Sequence, residues 1–336
     1  MRLMNKSVNM TPAIERVVLA YSGGLETSAA IPWLIEQRAT VVALTLDLGQ
    51  ERELEELRVR ALGLGAVRAH VIDVRDQFAR ECILPALQSG ICHDDVAALG
   101  GIAHPLIARK LVEIAAIEQA TAVAHGAGAA GHASLEAAVH AINPRLRVIA
   151  VAAECGMTRD ERVAFARRHG VSVPGGAAGN YDVASTLWGR AVTQAVEGTA
   201  WAAPPEAMYA LTRAAARTPD LPAHVEVEFA LGVPVSINGV PMPLTELLES
   251  VTTIAGHHGV GRAASVDSHT VYEAPAAVVL SEAHEALTGG THGRATGVVR
   301  MKLFKGEHTI VGHSPVAVAA SERASSLVAA LAAQPS

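Results

Sequence analysis

The chain has 336 residues, of which 50% are apolar, 18% charged and 3% aromatic, and its net charge at pH 7 is −6. This composition excludes a disordered chain and predicts one large or two ordinary globular domains, with a core of Ala, Val, Leu and Ile. No basic run stands out, which argues against a nucleic-acid partner.

The cysteines and the N-terminus indicate where the protein works. Cys82, Cys92 and Cys155 form no metal or disulfide pattern, as expected for a reducing compartment. The polar first 15 residues lack the apolar core of a signal peptide. No apolar run reaches the roughly 18–20 residues that cross a bilayer. We therefore expect a cytoplasmic protein with no membrane partner.

Apolar runs alternate with helical patterns in the first half of the chain. The predicted strands are residues 17–21, 41–48, 70–74, 122–126 and 147–151. The predicted helices are residues 29–36, 53–63, 75–87, 102–118, 134–142 and 158–169. This alternation predicts an α/β domain with a parallel sheet, in which ligands bind beyond the carboxyl ends of the strands.

The loop after the first predicted strand fits a phosphate group. Ser22-Gly23-Gly24 leads directly into Thr27 and Ser28 at a predicted helix start. The glycines allow a sharp turn, and a helix N-terminus offers free N–H groups and a positive dipole end. The loop matches neither the Walker A nor the G-x-G-x-x-G pattern. The alternative is an ordinary tight strand–helix turn.

The second half predicts a smaller α+β domain. Residues 175–179 are glycine-rich and predict a linker. The predicted elements beyond it are paired strands 225–229 and 233–237, helix 244–257, and a hairpin of residues 298–304 and 308–311 that turns at Lys305-Gly306. We expect a nucleotide-binding domain over 13–174, a synthetase or substrate domain over 180–318, and a C-terminal helix or tail over 319–336.

Several segments resemble one known family. Residues 20–28, AYSGGLETS, are similar to the A-Y-S-G-G-L-D-T-S signature of argininosuccinate synthase, within the N-type ATP pyrophosphatases. Further similar segments follow in the same order and rough spacing, at residues 47–50, 105–108, 125–127, 143–144, 187–190, 258–262, 271–275 and 299–303. The resemblance implies a Rossmann-like nucleotide-binding domain of the adenine nucleotide alpha hydrolase type and a smaller α+β synthetase domain.

The resemblance also implies an activity. The family adenylates a ureido oxygen with ATP, releases pyrophosphate, and lets an amine displace AMP. ATP and Mg²⁺ are the implied cofactors, the partners are small-molecule substrates, and a homo-oligomer, dimer or tetramer, is possible. The implied nucleotide-binding residues are Ala20, Tyr21, Ser22, Gly23, Gly24, Leu25, Glu26, Thr27, Ser28, Leu46 and Gly126. Catalytic roles are expected for Ser22, Glu26 and Asp47. Asp47 would hold Mg²⁺ or its own loop, or else only cap a turn.

The implied substrate positions carry residues that differ from the family pattern. Where the family holds aspartate with Thr, Asn and Asp, this chain has Gly128, His132 and Ala133. Glu136 replaces an arginine that binds citrulline, and His104 replaces another substrate arginine. Tyr272 stands where the family has a tyrosine near citrulline, with a core aromatic as the alternative. Arg190 is expected to form an interdomain ion pair.

These departures predict a substrate pair other than citrulline and aspartate. Each lost charge-assisted anchor costs ~2–5 kcal/mol, and Glu136 would repel a carboxylate. A neutral or cationic substrate end would fit better. Two alternatives stay open, a genuine argininosuccinate synthase and a non-catalytic nucleotide-binding paralogue. The second is favoured by Glu26, whose extra methylene moves the carboxylate by ~1 Å.

Overall fold

The computed structural model describes residues 15–50, 53–90, 101–172, 181–194, 204–265, 269–290 and 293–315. These residues form two compact units. The first unit comprises the described residues up to Thr45, together with 53–72 and 107–172, and the remaining ones form the second. The predicted linker at 175–179 and the predicted tail at 319–336 lie outside the described residues.

The strands are β1 (Arg16–Ala20), β2 (Thr40–Asp47), β3 (Arg68–Asp73), β4 (Ala122–His125), β5 (Arg147–Ala150), β6 (Tyr181–Thr186), β7 (Gly189–Gln194), β8 (Ala223–Ala230), β9 (Val233–Ile237), β10 (Val240–Pro241), β11 (Arg262–Ser265), β12 (Thr270–Glu273), β13 (Gly297–Phe304) and β14 (Glu307–Pro315). The helices are α1 (Leu25–Glu36), α2 (Leu54–Gly63), α3 (Arg75–Phe78), α4 (Leu84–Gln88), α5 (His104–Ile117), α6 (Ala129–Ile142), α7 (Val151–Glu154), α8 (Arg159–Arg168), α9 (Leu244–His257) and α10 (Pro275–Thr288).

A five-stranded sheet of order β3-β2-β1-β4-β5 organises the first unit. The pairs β1–β2, β1–β4 and β4–β5 are parallel, which confirms the predicted α/β class. Val17, Leu19 and Val41 are fully buried in its core, as is Ile31 of α1. The chain leaves β1 on one side to form β2, while β4 lies on its other side. This reversal of strand order is where ligands bind in open α/β sheets.

The helices of the first half differ from the prediction mainly at their ends. α1 begins at Leu25, four residues before the predicted start at residue 29. The prediction missed its first turn because Glu26, Thr27 and Ser28 there are polar. Polar side chains suit a first turn but break the apolar periodicity used for the prediction. The helix predicted over 75–87 consists of α3, a π-helical segment Ala79–Ile83 and α4.

Two antiparallel sheets organise the second unit, with orders β10-β9-β8-β13-β14 and β11-β12-β7-β6. The predicted strands 225–229 and 233–237, the predicted helix 244–257 and the predicted hairpin are confirmed. Lys305 and Gly306, with φ of 53° and 91°, make the tight turn expected of a hairpin. The β6–β7 hairpin and α10 were not predicted. The polar residues of β6 alternate too weakly with apolar ones to indicate a strand.

Across the described ranges, no helix is long and apolar enough to cross a membrane.

Candidate active site

The backbone after β1 forms an open N-terminus for α1. Gly23 adopts a φ of 74°, which favours glycine and turns the chain sharply. Gly24 precedes the helix and provides no side-chain cap for the first turn. The N–H groups of that turn are therefore available to an anion, and the helix dipole favours one.

Hydroxyl groups brace this loop from within. The Oγ atom of Ser22 lies 3.1 Å from Oγ1 of Thr27, and the N–H of Gly24 donates to Oγ of Ser22 at 3.4 Å. Tyr21 and Ser28 are buried and share a hydrogen bond of 3.2 Å. Thr27 is buried as well, so Tyr21, Thr27 and Ser28 support the loop from behind, while Ser22 is exposed on it.

Gly126, which follows β4, lies against the same loop. A Cβ atom at residue 126 would lie 3.0 Å from Cβ of Glu26 and 3.0 Å from Cγ2 of Thr27. The absence of a side chain at this position lets the two loops approach each other. Two predicted nucleotide-binding segments, residues 20–28 and Gly126, thus come together at the carboxyl ends of adjacent strands. An uncapped helix start beside glycine turns is the kind of backbone that receives phosphate groups.

An arginine that the sequence did not single out holds Glu26. Nη1 of Arg162 lies 2.6 Å from both carboxylate oxygens of Glu26, and Nη2 donates to the carbonyl of Met157 at 2.9 Å. Burial opposes the charge of Arg162, but Glu26 outweighs it and raises the arginine's pKa above its usual value. Arg162 escaped prediction because its partner is 136 residues away. The exchange of Asp for Glu at residue 26 was the only hint.

Predicted substrate residues lie along the start of α6. Gly128 is the residue before this helix, and a Cβ there would meet nothing within 4 Å. Nε2 of His132 lies 3.5 Å from Oε2 of Glu136, one turn further along the helix. Nδ1 of His132 lies 3.1 Å from Nε2 of His125, which is buried at the end of β4. The structure therefore links the Gly126 loop to His132 and Glu136 through side chains.

The remaining predicted residues belong to the second unit. Asp47 accepts a hydrogen bond from the N–H of Gly49 at 2.9 Å and lies 3.4 Å from Nε of Arg75, so it caps its turn as the alternative predicted. Asp47 also lines a cleft of about 320 Å³. Leu46 is buried beside Asp47 in β2.

His104 begins α5, and burial lowers the pKa of this histidine. Tyr272 lies half-buried in β12.

The second unit also contains a buried carboxylate, Glu273, which follows Tyr272 in β12 and which the family resemblance, like Tyr272, places near citrulline. Glu273 is inaccessible to solvent and accepts hydrogen bonds from Arg190 Nη1 at 2.8 Å and Thr212 Oγ1 at 2.7 Å. The N–H groups of Ala210, Leu211 and Thr212 also donate to it, at 2.9–3.0 Å. Arg190 was expected to pair between domains. That prediction is wrong, because both partners lie in the second unit.

Among the residues with described positions, no group of three or more His, Cys, Asp or Glu side chains could hold a metal ion. Mg²⁺ needs no such cage when it travels with a nucleotide, because phosphate oxygens, waters and one or two carboxylates complete its coordination.

Comparison with known proteins identifies the family. Residues 16–172 match the Arginosuccinate synthase N-terminal HUP domain, and residues 181–295 match the Arginosuccinate synthase C-terminal domain. The argininosuccinate synthase of Bacillus licheniformis is 39% identical over 347 residues, covering 88% of this chain and 86% of that protein. That of Bacillus thuringiensis is 42% identical over 283 residues, covering 81% of this chain and 71% of that protein.

A solved NAD+ synthetase from Burkholderia pseudomallei is 21% identical, with a TM-score of 0.34, and covers 48% of this chain and 68% of that one. This likeness is too distant to bear on function. The matches to both domains are extensive, and this chain belongs to the argininosuccinate synthase family.

Proposed function

We propose that this chain, an ATP-dependent carbon–nitrogen ligase that forms AMP and pyrophosphate, condenses citrulline with aspartate. The observation that carries the proposal is the match to proteins named argininosuccinate synthase through 88% of the chain, at 39% identity. The same comparison gives no support to the expectation of a different substrate pair. We also propose that the protein forms a dimer or tetramer. Measuring the molecular mass of the protein in solution tests this.

The first unit would bind the triphosphate of ATP. The N–H groups of Gly23 and of the first turn of α1 would donate to phosphate oxygens, and the hydroxyls of Ser22 and Thr27 would add further donors. Mg²⁺ bound with the nucleotide would neutralise charge on the departing pyrophosphate. The close fit of Gly126 against the loop supports this assignment, since it keeps narrow the phosphate cradle formed by residues 22–28 and Gly126.

The reaction then has two steps. The ureido oxygen of citrulline attacks the α-phosphorus of ATP, and the bond from that phosphorus to the bridging oxygen breaks to release pyrophosphate. The amino nitrogen of aspartate attacks the activated carbon and loses a proton, and AMP leaves with the former ureido oxygen. Preorganised N–H donors act where charge develops on the phosphates.

A different acceptor or amine is the second candidate function. One observation favours it: the positions on α6 that the family resemblance assigns to substrates present the paired side chains of His132 and Glu136. A carboxylate at residue 136 favours a neutral or cationic substrate end over the carboxylate of citrulline. The chemistry at the α-phosphorus would be unchanged.

Product analysis separates the two candidates. The purified protein is incubated with Mg²⁺, ATP, citrulline and aspartate, while pyrophosphate release is measured and the product is identified by mass spectrometry. Argininosuccinate with stoichiometric pyrophosphate is the expected result. Pyrophosphate release only with other ureido acceptors or amines would favour the second candidate. No release with any acceptor, in a protein that binds ATP, would leave a non-catalytic paralogue.

A further inference from the structure

A carboxylate lies at the entrance to the phosphate cradle. Glu26 is the second residue of α1, within the turn whose N–H groups face an incoming anion. The helix dipole stabilises a negative side chain in this turn, so the carboxylate competes with phosphate for the same positive field. Left alone, its charge would repel the triphosphate.

Arg162 compensates the negative charge of Glu26 through an ion pair. Its guanidinium lies 2.6 Å from both oxygens of Glu26, and the two side chains are only 15% and 22% exposed. Solvent screens a pair of this burial far less than a surface ion pair.

The position of Arg162 is itself well defined. It lies in the first turns of α8, whose start is closed by a capping box in which Thr158 and Glu161 each bind the other's backbone. A second hydrogen bond to the carbonyl of Met157 fixes the guanidinium from behind. The pair is therefore held by an element separate from the loop.

We propose that Arg162 is a positioning residue for nucleotide binding, which neutralises Glu26 and directs its carboxylate toward α8 so that the first turn of α1 can receive the triphosphate. The proposal rests on the proposed function only in taking this loop as the ATP site. It predicts that the need for Arg162 disappears when Glu26 carries no charge.

Two other roles for the pair make different predictions. If Arg162 leaves Glu26 and contacts the phosphates directly, its loss weakens ATP binding whether or not residue 26 is charged. If the pair only joins α1 to α8, its loss lowers the melting temperature and leaves the affinity of the folded protein unchanged.

A double-mutant cycle on the full chain distinguishes these roles. Binding of Mg²⁺–ATP, without acceptor or amine, is measured by calorimetry for the wild type, Arg162→Met, Glu26→Gln and the double variant. We expect Arg162→Met to weaken ATP binding about 10- to 100-fold, because the partly buried carboxylate of Glu26, left without its partner, would repel the triphosphate. Whatever affinity Glu26→Gln itself shows, adding Arg162→Met to that variant should change its affinity by no more than about 3-fold.

Two further variants make the result interpretable. Arg162→Lys keeps the positive charge and should retain most of the affinity even if the hydrogen bonds are poorer. Arg167→Met removes an exposed charge from the same helix and should bind ATP like the wild type. Melting temperatures show whether each variant is folded.

The inference is overturned if Arg162→Met weakens binding by the same factor in the Glu26→Gln background as in the wild type, or if Arg162→Met alone binds as tightly as the wild type. It also fails, together with the proposed function, if the wild type binds no adenine nucleotide. Wild-type binding without coupling between the two residues would leave the proposed function intact.

Discussion

The Nε2 atom of His125 lies 3.1 Å from Nδ1 of His132, and a backbone donor sets the direction of that hydrogen bond. The N–H of Ala127 points at Nδ1 of His125 at 3.1 Å, so this nitrogen is an acceptor in the neutral ring. The proton of His125 must then be on Nε2 and be donated to His132. His132 in turn carries its proton on Nε2, facing Glu136.

This chain of donors predicts the tautomers of both histidines. Long-range ¹H–¹⁵N spectra at pH 8 should show His125 and His132 protonated at Nε2. In Glu136→Gln the tautomers should stay the same, because the direction is imposed from the Ala127 end. Spectra with His125 protonated at Nδ1 would contradict the assignment.

A methyl group at residue 126 should disturb the cradle. In Gly126→Ala, the new Cβ would meet Glu26 and Thr27 at 3.0 Å, so the loops must separate by a few tenths of an ångström. We expect ATP to bind roughly tenfold more weakly, since small displacements of binding groups are costly. Calorimetry of ATP binding provides the measurement. The control is Gly128→Ala, where the added atom meets open space. Equal affinity in both variants would rule out close packing at Gly126.

The buried carboxylate of Glu273 should matter for stability. Glu273→Gln keeps the shape but puts an amide N–H₂ group where N–H and O–H donors converge. Leaving buried donors unpaired costs about 1–3 kcal/mol, and separating the Arg190 pair adds to this, so we expect a loss of about 3 kcal/mol. Urea unfolding followed by circular dichroism measures it. Glu285→Gln, at an exposed position of α10, should unfold like the wild type.

Glu118 should make stability depend on pH in the acid range. Burial of Glu118 opposes its charge, but hydrogen bonds from His70 and Arg68 and the charge of Arg68 together hold its pKa below the ordinary 4.5. The unfolded chain therefore binds more protons than the folded one as the pH falls past 4.5, and stability declines.

The contribution of Glu118 is complete above its unfolded pKa and is lost as pH falls through its lower folded pKa. Glu118→Gln should accordingly be less stable at pH 7 and show a flatter pH profile between pH 5 and pH 3. Urea unfolding across this range tests the difference. The exposed Glu113, on α5, the helix that ends just before Glu118, offers a control in Glu113→Gln. Parallel profiles for the wild type and Glu118→Gln would contradict the prediction.

The fold of the first unit could be read from local patterns, because each buried strand is a short apolar run bounded by a helical segment. Residues such as Val17 and Val41 are fully buried and show no alternation, as expected for a sheet covered on both faces. The β6–β7 hairpin gave no such signal. Its residues are mostly half-exposed, and polar side chains such as Asp182 hide the strand period.

The phosphate loop was predictable for a similar reason. Its function depends on glycines and hydroxyls that are adjacent in sequence, so a single short window contains the pattern. The Arg162–Glu26 and Arg190–Glu273 pairs depend on tertiary structure, with separations of 136 and 83 residues. Nothing local distinguishes such arginines from those on a solvated helix face.

The cradle at the start of α1 is made largely of peptide groups, whereas the start of α6 presents side chains. Every residue type except proline supplies a peptide N–H, so substitutions that keep the glycine turns leave the first surface unaltered, while each exchange at His132 or Glu136 changes the second. A lineage with this arrangement can change its acceptor substrate through single substitutions on α6 while it keeps the same ATP-binding loop.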